Sequence, residues 1–193
     1  MTIRLNRRVV YKSELMMYDM LENCNWTRPI YISLTVGPEN HAGLTQFLVQ
    51  EGLASRITPF VTGNHVVDTQ RMFDNLMHKF RYGGLEKPGL YLDETMMRMC
   101  YTHRQTFATL ISALLREGRK QQALQALQYC KKVLPEYNVP YDVMSVGFDY
   151  DRGLFQIPEG WLQVGRPQES ERVLLAMGKN LRQYMDWYNC LSP

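Results

Sequence analysis

Long hydrophobic runs, paired cysteines and a strong net charge are all missing from this sequence of 193 residues. No run approaches the 18 or more apolar residues that cross a membrane, and the basic start is not followed by the apolar segment of a signal peptide. We therefore expect no direct membrane insertion of this chain. The formal net charge of +3 is too small to indicate a nucleic-acid partner.

Cysteine is scarce, and its spacing is uninformative for cross-links. Cys24, Cys100, Cys130 and Cys190 include no Cys-x-x-Cys pair, and they fit neither a zinc site nor a small disulfide framework. The four histidines are equally scattered. We therefore predict buried, inert thiols, no metal and no cofactor. A chain of this length buries enough surface to fold without disulfide bonds or a structural metal ion.

The pattern of secondary structure changes near Pro88-Gly89. Before this point helical and strand patterns alternate, and after it every long pattern is helical. This predicts an N-terminal α/β portion over residues 1–88 and a helical portion over residues 89–193, which we expect to share one core. The predicted fold class is α+β, mainly helical.

The first portion is predicted to contain a small two-strand unit. SELMMYDMLENC predicts a well-buried helix that begins at Ser13. YISLTV from Tyr31 predicts one strand, and Leu53 to Val61, which contains SRITPFV, predicts a second. A short helix from about Asn40 to Gln50 would join them in a βαβ-like arrangement. Asp68 is the predicted cap of a further helix.

The second portion is predicted to form tetratricopeptide-like helical hairpins. Two helices, Glu94–Glu117 and Lys120–Leu134, flank Gly118. The order of their side chains is typical of one such repeat of about 34 residues: Phe107, Leu110, Ile111 and Leu114, followed by Ala123, Leu127, Cys130 and Pro135. A degenerate second copy surrounds Gly165, and Pro158 predicts a kink or a late start in its first helix.

Several stretches together resemble a known family: YKSELMMYDMLENCNWTRPIYISLTVGPEN, FLVQEGLASRITPF, MFDNLMHKFRYGGL, YLDETMMRMC and NVPYD. Over residues 5–181 the chain resembles the soluble C-terminal region of protein O-mannosyltransferase-like membrane proteins of Gram-negative bacteria, whose function is largely unknown. The resemblance implies a module at the periplasmic face of the inner membrane, beside a glycosyltransferase that uses lipid-linked sugars. Outside such a larger protein, the lack of a signal peptide predicts a cytoplasmic location. The catalytic acids of these enzymes lie in the membrane part, so no catalytic residue carries over.

One loop is a candidate for small-ligand binding. The loop Gly37–His41 follows a predicted strand and precedes a predicted helix, where exposed backbone amides can bind an anion. The candidate ligand-binding residues are Arg28, Glu39, Asn40 and His41. The competing interpretation is a tight turn with Asn40 as helix cap.

Two further patterns have simpler explanations. Asp149 and Asp151 form an Asp-x-Asp pattern of the kind that holds a divalent cation, but no sugar-nucleotide domain surrounds it, so we interpret it as a solvated acidic turn. Methionines cluster at residues 16–20 and 96–99. Their helical spacing favours core filling, and the alternative is an adaptable binding groove.

The sequence predicts a non-catalytic protein-interaction or accessory module. Its partner would be a protein or peptide, such as the membrane glycosyltransferase portion of the same system. The alternative is a carbohydrate- or anion-binding protein or an enzyme that uses the Gly37–His41 loop. A deep pocket with converging polar groups would favour the alternative, and a shallow groove would favour the interaction module.

Overall fold

The computed structural model describes residues 2–3, 9–149 and 153–191. The chain divides into two compact units, Met1–Met72 and Phe73–Pro193, whereas the sequence placed a boundary between residues 88 and 89. The first unit contains a mixed sheet and the second consists mainly of packed helices. The predicted mainly helical α+β class is confirmed.

The first unit is built around a four-stranded sheet in the order β1-β3-β2-β4. Its strands are β1 (Tyr31–Ser33), β2 (Leu48–Gln50), β3 (Ala54–Ile57) and β4 (Val66–Val67). Strand β3 pairs antiparallel with both β1 and β2, and β2 pairs parallel with β4. Arg56 on β3 is the register partner of both Tyr31 and Val49, so these three residues form one row across the sheet.

The helix predicted between the two strands is absent, and this prediction was wrong. Two 3-10 turns, Pro38–Asn40 and Thr45–Phe47, take its place and lead directly into β2. Ala42 and Gly43 have φ values of 51° and 75°, in the left-handed region, which a continuous right-handed helix does not enter. The two predicted strands, β1 and β3, are therefore direct antiparallel neighbours and not a βαβ-like pair.

Helix α1 (Lys12–Asn23) is buried on one side only, which corrects the prediction of a well-buried helix. Leu21 joins the core cluster with Leu44, Phe47, Leu48 and Ile57. Leu15, Met16 and Met20 are exposed, because the sheet offers a single surface for the helix to cover. The helix also begins one residue before Ser13, and the Glu14 carboxylate accepts the Tyr11 N–H at 2.9 Å.

The second unit is dominated by four helices, α3 (Glu94–Arg116), α4 (Lys120–Val133), α5 (Gln156–Gln163) and α6 (Pro167–Leu191). Before them, α2 (Thr69–Asp74) spans the unit boundary and continues into a π-helical turn, Asn75–Lys79. Helix α3 packs against α4 and α5, and α5 also packs against α4 and α6. A short hairpin of β5 (Phe148–Asp149) and β6 (Leu154–Phe155) lies between α4 and α5.

Local signals in the sequence set the limits of the long helices. The Asp93 carboxylate accepts the Met96 N–H at 2.8 Å and caps α3. Gly118, with a φ of 76°, separates α3 from α4. The contact between α3 and α5 is very close, because a Cβ on Gly160 would lie 2.8 Å from Ile111 Cγ2. Only a residue without a side chain allows that approach.

Candidate binding groove

Helix α5 is much shorter than the two helices between which it packs. At about 1.5 Å per residue, its 8 residues span about 12 Å, whereas the 23 residues of α3 and the 25 of α6 span about 35 and 37 Å. Gly160 meets Ile111, so α5 covers the C-terminal half of α3.

A groove lies beside the N-terminal half of α3. A cavity of about 650 Å³ is lined by Met97, Tyr101 and Gln105 of α3, by Met144 of the α4–α5 connection and by Tyr184 of α6. A second cavity of about 430 Å³ shares Tyr101 and Tyr184 and extends along α6. Because they share two aromatic side chains, the two cavities form one groove, which we call the α3–α6 groove.

One face of α6 changes its environment half-way along the helix. Val173 and Met177 are buried in the first half. The same helical face continues, at intervals of three or four residues, through Leu181, Tyr184 and Tyr188, whose exposed fractions are 43%, 51% and 62%. These three apolar or aromatic side chains form an exposed stripe along the helix, which we call the α6 stripe. No residue described by the structure covers it.

A buried arginine holds the connection that closes one side of the groove. Arg104 of α3 is fully buried. Its Nη1 donates to Pro140 O at 2.7 Å and its Nη2 donates to Leu134 O at 2.9 Å and Val139 O at 2.5 Å. The guanidinium carbon also lies 4.5 Å from the ring centre of Tyr141, a cation–π geometry. No carboxylate within the described ranges pairs with it.

The chain segment that Arg104 binds also contacts α6. Asn180 Nδ2 donates to Tyr141 O at 2.7 Å, so the segment organised by Arg104 is fastened to the helix that carries the α6 stripe. Burial raises the pKa of Tyr141 to about 12. Burial, with a contribution from Asp142, also raises the pKa of Tyr101 in the groove. Both phenols therefore stay protonated at neutral pH.

Arg104 is not among the residues predicted from the sequence, although its spacing contains a signal. Cys100, Arg104, Phe107 and Ile111 follow one another at intervals of four, three and four residues, the spacing of one helical face. All four are buried. A charged residue in an otherwise apolar face either reaches solvent or has internal partners. The position of Arg104 on this apolar face is therefore the signal in the sequence.

The candidate ligand-binding loop has a geometry that suits an anion poorly. Pro38–Asn40 is a 3-10 turn of three residues, too short to supply several aligned amides. The Glu39 carboxylate folds back over the start of this turn, so a Cβ on Gly37 would lie 2.1 Å from Glu39 Oε1. Asn40 Nδ2 donates to the same oxygen at 3.1 Å. The loop thus places a carboxylate of its own where an external anion was expected.

The remaining two candidate residues of that site have separate surroundings. His41 is half-buried, and its Nε2 donates to Val36 O at 3.1 Å. Arg28 is exposed in the loop after α1 and forms no hydrogen bond or ion pair with any residue that the structure describes. A ligand site made of Arg28, Glu39, Asn40 and His41 stays a prediction.

Three other sequence-based interpretations change or fall outside the described residues. Asp149 lies in β5, but Asp151 is outside the described ranges. Cys100 and Cys130 are buried as predicted, whereas Cys24 is half-buried and Cys190 is exposed, which corrects the prediction for those two. The methionines are not all core residues: Met16, Met20, Met96 and Met99 are exposed, because each occupies the uncovered side of its helix.

A polar cluster in the first unit surrounds a buried carboxylate. Glu51 is 5% exposed and accepts hydrogen bonds from Tyr31 Oη at 2.8 Å, Arg56 Nε at 2.6 Å and Arg71 Nη1 at 3.2 Å. Burial by itself would raise the pKa of Glu51, but the hydrogen bonds from Arg56 and Tyr31 and the two positive charges lower it overall. Each of these three partners stabilises the ionised form, so the cluster has the chemistry of a structural ion-pair network.

The comparisons with known proteins concern this same first unit. Residues 1–76 match the family model of TMEM260-associated domain 2. The match extends over the whole first unit and ends shortly after its boundary at Met72. TMEM260 is a membrane O-mannosyltransferase-like protein, so the predicted resemblance is confirmed in its coarse form, as a domain associated with such a protein.

No curated protein and no solved structure matches the chain significantly. Within the described ranges, no helix is both long enough and apolar enough to cross a bilayer. Among those same residues, no three His, Cys, Asp or Glu side chains are grouped to hold a metal ion.

Proposed function

We propose that this chain is a non-catalytic interaction module of a membrane glycosyltransferase-like system, and that its α3–α6 groove binds a segment of a partner protein. The observation that carries the proposal is the α6 stripe, the continuation of a buried helix face beyond the end of its covering helix. Exposed apolar surfaces of this kind mark interaction sites in soluble domains. The match to TMEM260-associated domain 2 supports the link to such a system, and the resemblance suggests its periplasmic side.

The proposal includes a tetratricopeptide-like character for the second unit. Helices α3 and α4 form one antiparallel hairpin, and α5 and α6 follow as a second that packs against the first. Phe107, Leu110 and Leu114 are fully buried, as is Ala123 on the facing helix. Each occupies the position at which this repeat places a buried residue.

Overpacking Ala123 tests this repeat-like contact. Ala123→Leu adds three carbon atoms to a side chain that is fully buried, so the free energy of unfolding should fall by about 1–3 kcal/mol. Gln125→Leu, at an exposed position of the same helix, is the matched control and should change it by no more than about 0.5 kcal/mol. Chemical denaturation measures both. Equal effects of the two substitutions would contradict the repeat-like packing.

Binding to the groove is tested with displayed peptides. The purified chain is used to select from a library of random 16-residue peptides, and the enriched peptides are then measured in solution. Tyr184→Lys, in the groove, should weaken their binding at least tenfold. Asn189→Lys, exposed on the opposite side of α6, is the control and should leave binding unchanged. Failure to enrich any peptide, or equal binding to both variants, would refute the proposed function.

A further inference from the structure

We propose that the loop from Thr58 to Thr62 in the first unit is a contact site for the surface of a lipid bilayer. In this contact the side chains of Phe60 and Val61 enter the boundary between the headgroups and the acyl chains, a shallow binding mode that needs no membrane-spanning segment. The α3–α6 groove belongs to the second unit and takes no part in it. The proposed function enters at one point only, because it supplies a membrane beside the chain.

Two large apolar side chains are exposed next to each other in this loop. Phe60 is 68% exposed and Val61 is 64% exposed. Scattered apolar side chains are common on protein surfaces, but here two neighbours in the chain both point to solvent. A phenylalanine on a mobile loop could reduce its exposure by folding back onto the protein. The exposure of the pair therefore needs a structural cause.

Hydrogen bonds at both ends of the loop provide this cause. Thr58 is buried, and its N–H donates to Phe47 O at 2.9 Å. The Thr58 Oγ1 donates to Phe60 O at 2.9 Å. At the other end, the Thr62 N–H donates to Gln46 O at 2.9 Å. The backbone is thus fixed on each side of the apolar pair, so no further ordering of the loop is needed when a partner binds.

The polar groups of the loop are compatible with a bilayer surface. The sequence contains no Asp, Glu, Lys or Arg from Thr58 to Val67, and a charged side chain is what the acyl region excludes most strongly. Phe60 O already accepts the hydroxyl proton of Thr58. Because this carbonyl group has an internal partner, moving the loop away from water does not leave it unsatisfied.

The size of the apolar pair favours a bilayer over a protein partner. A phenylalanine and a valine together offer about 300 Å² of surface, whereas each partner of a stable protein interface buries about 800 Å². A bilayer requires neither that area nor a complementary shape. The loop lies within residues 1–76, which match a domain associated with a membrane protein, and the proposed function thus brings a bilayer close to this unit.

Two side chains are a weak anchor for a free protein, so the test holds the chain beside a bilayer. The full chain with a C-terminal polyhistidine tag is bound to phosphatidylcholine nanodiscs that contain a nickel-chelating lipid, and its phenylalanines have a fluorine label. A nitroxide on the acyl chains should increase the relaxation rate of the Phe60 fluorine at least threefold more than those of the buried Phe47 and Phe107. Phe60→Leu identifies the Phe60 signal by its loss.

Matched variants measure how much the loop contributes to binding. Phe60→Ser should weaken the affinity of the tagged chain for phosphatidylcholine vesicles with nickel-chelating lipid at least fivefold, because the tag and the loop bind one vesicle together. Phe60→Leu remains apolar and should bind like the wild type. Tyr91→Ser removes an aromatic side chain of the second unit that is 91% exposed and should leave the affinity unchanged. Thermal unfolding verifies that each variant is folded.

Several results would overturn the proposal. Equal vesicle affinities of Phe60→Ser and the wild type would do so, as would equal relaxation of the Phe60 and Phe47 signals. A dimer in lipid-free solution that Phe60→Ser dissociates would identify a second copy of the chain as the partner, and would also overturn it. Tyr184→Lys, which tests the proposed function, should leave vesicle affinity unchanged, so the two proposals can fail separately.

Discussion

Replacing the buried arginine is the most demanding test of the second unit. Arg104→Met keeps a long, flexible side chain of similar reach and removes the guanidinium. Leu134 O and Val139 O then lose their donor inside the protein, at positions where both residues are fully buried. Each buried group left without a partner costs about 1–3 kcal/mol. Removing a buried charge returns part of this cost.

The balance gives an expected loss of about 3 kcal/mol in the free energy of unfolding. Arg98→Met, six residues earlier on α3, is the matched control. Its ion pair with Glu94 is exposed on both sides, and such pairs contribute less than about 1 kcal/mol. Urea denaturation followed by circular dichroism measures both variants, with the slope of the transition compared to detect a change in compactness.

A loss below about 1 kcal/mol for Arg104→Met, or a loss equal to that of Arg98→Met, would refute the reasoning, because it would mean that the carbonyl groups find other donors. Arg104→Lys separates charge from geometry. A lysine keeps the positive charge, but its single ammonium group lacks the planar fork that reaches several carbonyl groups together. Recovery of full stability by lysine would show that the charge, and not the fork, is what the segment needs.

Three further predictions concern other parts of the chain. The lowered pKa of Glu51 stabilises the fold at neutral pH, and the advantage of the wild type over Glu51→Gln should disappear as pH falls below about 4.3, the ordinary value; a pH-independent difference would contradict it. Burial raises the pKa of Cys130 to about 12, so a thiol reagent should modify Cys190 rapidly and Cys130 only on unfolding, as peptide mapping would show. Gly160→Ala should destabilise the chain by about 1–3 kcal/mol, whereas Gly178→Ala, with no atom within 4 Å of the new Cβ, should stabilise it by up to about 1 kcal/mol; the reverse order in thermal unfolding would refute this packing.

The long helices of the second unit could be predicted because their limits have local causes. An aspartate cap at Asp93, a left-handed glycine at Gly118 and a helix-breaking Pro135 all act within a few residues of their position. Pro158 likewise predicted a kink or a late start in the next helix. It is the third residue of α5, where its missing N–H is one that the helix would not have used.

Features that depend on distant partners were missed. Strand β2 has three residues, and its identity as a strand comes from pairing with β3 and β4, not from its own composition. The helix predicted in its place failed because no nearby residue indicates the positive φ of Ala42. The hydrogen bonds of the Arg104 guanidinium reach residues that lie 30 to 41 positions further along the chain. The helical spacing of Arg104 among apolar positions is a signal that was missed, and only the fold shows which carbonyl groups it reaches.

The environment of α6 changes near Gly178, and this has a consequence for local opening of the helix. The residues before it are held by burial at Val173 and Met177, whereas those from Leu181 to Leu191 are exposed on every side. An isolated helix of that length is marginal in water, and glycine at the junction weakens its connection to the buried part. Backbone amides after Gly178 should exchange with solvent long before those preceding it. The portion of α6 that faces the groove is thus the portion with the most order to gain when the groove is filled.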